Sequence, residues 1–78
     1  MRSVVVYTTD TCPYCTMLKD FLNSQEVPFE ERNVSRNPRW VAELVELGSR
    51  GVPTTVIGGE EVVVGYQPQR ILGLALGN

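Results

Sequence analysis

Apolar and polar positions along this chain follow two rhythms that alternate. Val4-Val5-Val6 is a β-branched run inside Arg2 to Tyr7, which predicts a strand covered on both faces and therefore central in its sheet. Thr8 to Thr11 is polar. From Pro13 to about Ser24 the period becomes helical, with Met17, Leu18, Phe21 and Leu22 on one side and Lys19, Asp20 and Asn23 largely on the other. Pro13 suits the first position of a helix, where the missing N–H has no partner to lose, so Cys12 is the expected N-cap.

Val27-Pro28-Phe29 resumes an extended course, and Phe29 to Val34 alternates loosely as a second strand. A strand, a helix and a strand make a right-handed crossover, which predicts that this strand runs parallel to the first. Ser35-Arg36-Asn37-Pro38 closes on a second helix, with Val41, Leu44 and Val45 expected inward and an end near Gly48. Gly48-Ser49-Arg50-Gly51 reads as a flexible loop, and Val52-Pro53 leads into the β-prone run Thr54 to Ile57. Gly58-Gly59 between two β-branched runs signals a two-residue hairpin, pairing Glu60 to Val64 antiparallel with Thr54 to Ile57. Gly65 ends that strand, and Pro68 opens a last helix through Ile71, Leu72, Ala75 and Leu76. The order βαβαββα predicts an α/β fold in one domain over residues 1–78, a four-stranded mixed sheet flanked by three helices.

Composition removes whole classes of function. Seventy-eight residues leave no room for a second domain, and a chain this short buries only about 60% of the surface it exposes when unfolded. A net charge of −2 lacks the positive field that attracts phosphate backbones, so no nucleic acid is expected as a partner. The longest apolar stretches fall far short of the ~20 residues of a membrane helix. Met1-Arg2-Ser3-Val4 offers one basic residue and no apolar core of signal-peptide length, so the expectation is a cytoplasmic protein away from membranes. The chain has no His and only two Cys, which excludes His-based catalytic pairs and leaves a structural zinc site short of its usual four ligands.

The two cysteines stand in Cys12-Pro13-Tyr14-Cys15 at the predicted helix start. A disulfide between them would close too short a loop to stabilise the fold by restricting the unfolded chain. The ring is better suited to exchange. The first helical N–H groups and the positive end of the helix dipole both favour a thiolate at Cys12. A dipole effect of up to ~2 kcal/mol leaves part of that activation to hydrogen bonds from the Tyr14 and Cys15 N–H groups, or to a cation, of which Lys19 is the closest in sequence. Cys15, inside the first turn, has less access to solvent and is expected to attack second, releasing a mixed disulfide formed on Cys12. That chemistry needs no bound cofactor beyond the Cys12–Cys15 disulfide itself. An adaptor role fits poorly, because an N-cap and its first turn are not where a core recruits small apolar filler.

Val4 to Tyr7 followed by Thr8, then Cys12-Pro13-Tyr14-Cys15, Val52-Pro53 before a strand, Gly58-Gly59, and Gly65-Tyr66 before the last helix together resemble the glutaredoxins and the NrdH-type redoxins. The resemblance covers nearly the whole chain and implies a thioredoxin-like fold and thiol–disulfide oxidoreductase activity. It also implies that Pro53 is cis, that Val52 offers its backbone to an extended substrate, and that Tyr14 flanks the reactive sulfur, with Gly65 and Tyr66 on the same substrate-binding surface. Many glutaredoxins hold glutathione with a Lys before the Cys motif, a Thr-Val-Pro, and an acidic residue after the Gly pair; here those positions are Thr9, Gly51 and Gln67. Arg50 is the cation left to meet a carboxylate. The segment Gly65 to Ile71 resembles the ending of NrdH-type redoxins, which are reduced by thioredoxin reductase and supply ribonucleotide reductase, whereas Cys-Pro-Tyr-Cys is the glutaredoxin form of the motif. The expectation is a monomeric carrier acting on protein disulfides and recharged by thioredoxin reductase. The alternative is a glutathione-dependent glutaredoxin, and further off a dimeric [2Fe–2S] binding module using Cys12 of each subunit.

Overall fold

A computed structural model describes residues 1–77. The elements are β1 (Val4–Thr8), α1 (Pro13–Ser24), β2 (Glu30–Asn33), α2 (Pro38–Glu46), β3 (Thr54–Ile57), β4 (Glu61–Val64) and α3 (Pro68–Leu76), in the predicted order. The four strands form one sheet in the order β2-β1-β3-β4. β1 runs parallel to β2 and antiparallel to β3, and β3 pairs antiparallel with β4. The β-branched strands β1 and β3 therefore sit in the middle, and the charged β2 lies at one edge.

One face of the sheet packs Val4, Val6, Ile57 and Val63 against Leu18 and Leu22 of α1 and Ile71 and Ala75 of α3. Leu18 and Leu22 are fully buried, each contributing about 1.5–3 kcal/mol relative to exposure. The other face packs Tyr7 and Val56 against Leu44 of α2, with Trp40 and Leu47 partly buried around them. Tyr7 also bonds α2 directly: its hydroxyl donates to Glu43 Oε1 at 2.9 Å, and Arg32 Nη1 reaches the same carboxylate oxygen at 2.8 Å. Burial, and then the Glu43 hydrogen bond, raise the Tyr7 hydroxyl above its ordinary range.

Several sequence expectations need correction. Val41 and Val45, expected inward, are exposed, and Val45 keeps 63% of its surface. The inward stripe is Trp40, Leu44 and Leu47, spaced four and three, and each valine is turned about 100° away from it around the helix. Met17, 46% exposed, stands off the Leu18–Leu22 face for the same reason, as does Leu76 beside the buried Ala75. β1 starts at Val4 and continues through Thr8, while β2 and β4 are shorter than predicted. The hairpin pairs Ile57 with Glu61, so its loop is Gly58-Gly59-Glu60 rather than the glycine pair alone; both glycines take positive φ, 65° and 79°, and the Glu60 N–H closes the turn on the Ile57 carbonyl at 3.3 Å.

Thr55 is fully buried in β3, and its hydroxyl has no hydrogen-bond partner among the described residues. An unpaired buried hydroxyl costs about 1–3 kcal/mol. Thr55→Val keeps the branched shape and removes that cost, so it is expected to stabilise the fold by about 1 kcal/mol and raise Tm by roughly 4–8 °C. Thermal unfolding by circular dichroism checks this, and an unchanged or lower Tm would show that the hydroxyl is satisfied after all.

Candidate active site

The site lies at the end of the sheet where β1 hands over to α1. Cys12 is the N-cap of α1, with extended backbone, φ −120° and ψ 99°, and Pro13 occupies the first turn. Its carbonyl accepts from the Cys15 and Thr16 N–H groups at 3.1 and 3.3 Å. The Cys15 N–H also points at the Cys12 sulfur, 3.1 Å away. The Cys15 N–H, in the first turn of the helix, is thus shared between the Cys12 carbonyl and the Cys12 sulfur. On its other side the Cys12 thiol donates to the Val52 carbonyl at 3.7 Å. Both cysteines are free thiols, Cys12 partly exposed and Cys15 1% exposed. Burial first, and then the hydrogen bond with Cys12, push the Cys15 thiol up to about 12.

Val52 is held in place by a loop that sequence reasoning expected to be flexible. Ser49 is buried, its hydroxyl 2.7 Å from the Thr54 hydroxyl, and Thr54 Oγ1 donates to the Gly51 carbonyl at 2.6 Å. Ser49 and Thr54 are therefore site-supporting residues that the sequence reading passed over. The available signal was a Ser and a Thr flanking Gly51, able to satisfy the backbone of a tight turn. The Val52–Pro53 bond is cis, as the family resemblance implied. Gly65 donates its N–H to the Pro53 carbonyl at 2.8 Å and has φ +90°, a conformation that suits glycine. Tyr66 follows, its ring centroid 5.7 Å from that of Tyr14 in a tilted arrangement, and Tyr14 is 58% exposed. Cys12, Tyr14, Val52, Gly65 and Tyr66 thus border one surface.

The remaining candidates divide. Arg50 is exposed in the loop before Val52. Lys19 pairs instead with Glu31 of β2, Nζ to Oε2 2.9 Å, and Glu31 was not singled out from the sequence. The Gln67 side chain folds back, donating to the Val64 carbonyl at 2.7 Å. Among the described residues no cluster of three or more Cys, Asp or Glu is arranged to hold a metal ion, and no helix is long and apolar enough to cross a membrane.

The family model for glutaredoxin matches residues 4–62, a span that includes the dithiol, the cis proline and three of the four strands. This chain belongs to the glutaredoxin family. The glutaredoxin-like protein NrdH of Lactococcus lactis is 31% identical over 72 residues, covering 92% of this chain and 99% of that protein. A glutaredoxin of Neisseria meningitidis is 41% identical over 64 residues, covering 80% of this chain and 75% of its own length. In structure, the chain superposes on the NrdH-redoxin of Escherichia coli, a glutaredoxin-like protein described as having a thioredoxin-like activity profile, with a TM-score of 0.84 at 26% identity over 97% of this chain and 99% of that one. Like other glutaredoxins, this redoxin is a thiol–disulfide oxidoreductase.

Proposed function

We propose that this glutaredoxin is a monomeric dithiol carrier of the NrdH type. Cys12 attacks a disulfide of a target protein, Cys15 resolves the product, and thioredoxin reductase restores the dithiol in preference to glutathione. The observation that carries the reading is the difference between the two sulfurs: one at a helix N-cap within reach of solvent, the other 1% exposed beneath it.

The step balances as follows. The Cys12 thiolate displaces one target sulfur, which leaves as a thiolate and takes a proton, and a Cys12–target bond forms. Cys15, once deprotonated, attacks the Cys12 sulfur; the Cys12–Cys15 bond forms, and the second target sulfur departs. The backbone of Val52, beside Cys12, is suited to aligning an extended target segment, and the Tyr14–Tyr66 pair offers an apolar flank for it. The surroundings do not need a bound cofactor for this chemistry, and a cytoplasmic setting, where thiols are kept reduced, suits it. Ribonucleotide reductase is the target to which the NrdH resemblance points.

The preference for the reductase rests on what glutathione would have to find. Its two carboxylates and ammonium need charged partners, each such hydrogen bond being worth about 1.5–3 kcal/mol. Thr9 stands where a cation is usual and Gln67 where an anion is usual, and the Gln67 side chain is engaged with the Val64 carbonyl. Two missing contacts correspond to roughly 10²-fold in binding. Steady-state rates with NADPH and thioredoxin reductase, beside rates with glutathione and one common disulfide acceptor, are expected to differ by about that factor in favour of the reductase. Rapid glutathione-dependent turnover without a response to the reductase would overturn the proposal.

A further inference from the structure

Cys15 has to lose a proton before it can resolve anything, yet it sits almost out of contact with water. Lys19 is four residues further along α1, which places it one helical turn on along the same face. Its ammonium is held at 2.9 Å by Glu31 Oε2, and the same oxygen accepts the Thr8 hydroxyl at 2.7 Å. Thr8 is fully buried, so this carboxylate oxygen is anchored from β1 while it restrains Lys19. In the sheet, β2 with Glu31 and β3 after Val52 flank β1 on opposite sides, which leaves the pair outside the substrate-facing surface. A polar cleft of about 520 Å³, lined in part by Thr9, Thr16, Lys19, Glu31 and Asn33, borders it.

We propose that the Lys19–Glu31 pair sets how readily Cys15 becomes a nucleophile, and with it the rate at which a mixed disulfide on Cys12 is resolved. The inference rests on the cysteine roles proposed above. Lys19 supplies positive charge toward the Cys15 sulfur, and Glu31 damps it by sharing that charge. The Thr9 amide hydrogen bond and the Lys19 charge both act to lower Cys15 against the raising effect of burial. Glu31 remains anionic, because the Thr8 hydroxyl first and then Lys19 hold its carboxyl below the usual range. The groups that act on Cys15 are Cys12 and Lys19 on α1 and the amide of Thr9, just after β1; Glu31 on β2 acts through Lys19, and the Arg36–Asp10 pair, at 3.3 Å, lines the same cleft. In the resolving step the Cys15 thiol proton passes to water, the thiolate bonds to the Cys12 sulfur, and the target sulfur leaves and is protonated in turn.

The reaction with a symmetrical aromatic disulfide dye separates the two attacks, since Cys12 releases the first dye thiolate and Cys15 the second. Stopped-flow traces over a pH series are compared for the wild type, Lys19→Met, Lys19→Arg and Glu31→Gln. In Lys19→Met the second phase is expected to slow by roughly three- to tenfold at neutral pH and its midpoint to move to higher pH, a tenfold change in thiolate corresponding to one unit. Lys19→Arg retains the wild-type profile. Glu31→Gln keeps an acceptor for both donors while removing the charge, so its second phase accelerates and its midpoint falls. Shifts of the same sign in Lys19→Met and Glu31→Gln, or none, would overturn the inference while leaving the roles of the cysteines intact. A change in the first phase of Lys19→Met as large as that in the second would also overturn it. A wild type without a second phase would remove the resolving role of Cys15 and this inference together.

Discussion

Replacing Cys12 by Ser is expected to abolish disulfide reduction, a loss of several orders of magnitude, whereas Cys15→Ser is expected to attack a disulfide and then stop as a stable mixed disulfide. The asymmetry follows from position. Cys12 is partly exposed and its sulfur receives the Cys15 N–H at 3.1 Å, so it is reachable where a target can approach. Cys15 is 1% exposed, and a protein disulfide cannot reach it except through Cys12. Intact-mass spectrometry of the two variants after exposure to an oxidised target reads the outcome directly, as an adduct on Cys15→Ser and none on Cys12→Ser. The reverse pattern would assign the roles the other way round.

The reduced protein is also expected to lose more stability in alkaline solution than the oxidised protein. Burial, and the hydrogen bond with Cys12, push Cys15 from 9.0 to about 12. A group raised in the folded state stabilises the fold fully below its unfolded value, and that contribution disappears as pH climbs toward the folded value. The window therefore runs from 9.0 to about 12. Within it the unfolded chain ionises Cys15 freely while the folded chain resists, and each unit is worth about 1.36 kcal/mol. Urea unfolding at about two units above the lower limit should show the reduced form weakened by on the order of 2–3 kcal/mol relative to the oxidised form. Tyr7, also raised, is present in both forms and cancels in the comparison. Cys15→Ser, measured under reducing conditions, should lack the part of the alkaline loss that separates the reduced from the oxidised wild type, and an undiminished loss in that variant would trace the effect to other groups.

Pro13, Pro38 and Pro68 each open a helix, and this punctuation is why the element order was legible from residues alone. The dithiol was legible for the same reason, since Pro13 marks Cys12 as an N-cap. Facing was harder to read. In α2, nine residues long, Val41 and Val45 are as apolar as their neighbours. Only the lateral position of the sheet decides that Trp40 and Leu44 turn inward. The supports of the site were hidden more thoroughly. Ser49 and Thr54 look like ordinary loop and strand residues until the chain folds back to bring their hydroxyls together, and Glu31 reads as one more charge on a polar strand. Its partners Thr8 and Lys19 are 23 and 12 residues away in sequence, and local pattern carries no information about such pairings.

The two free edges of the sheet will behave differently in a crowded solution. An extended segment of another molecule that tried to add to β2 would first have to strip water from Glu30, Glu31 and Arg32 and disturb their ion pairs, a cost incurred before any ladder bond forms. Along β4 it would meet Val62, Val63 and Val64, the last of them half exposed. Edge-to-edge association, when reduced or partly opened molecules become concentrated, therefore starts at β4. It has little to build on there, because Glu61 begins the strand and Gly65 follows its end, leaving a template of only four residues.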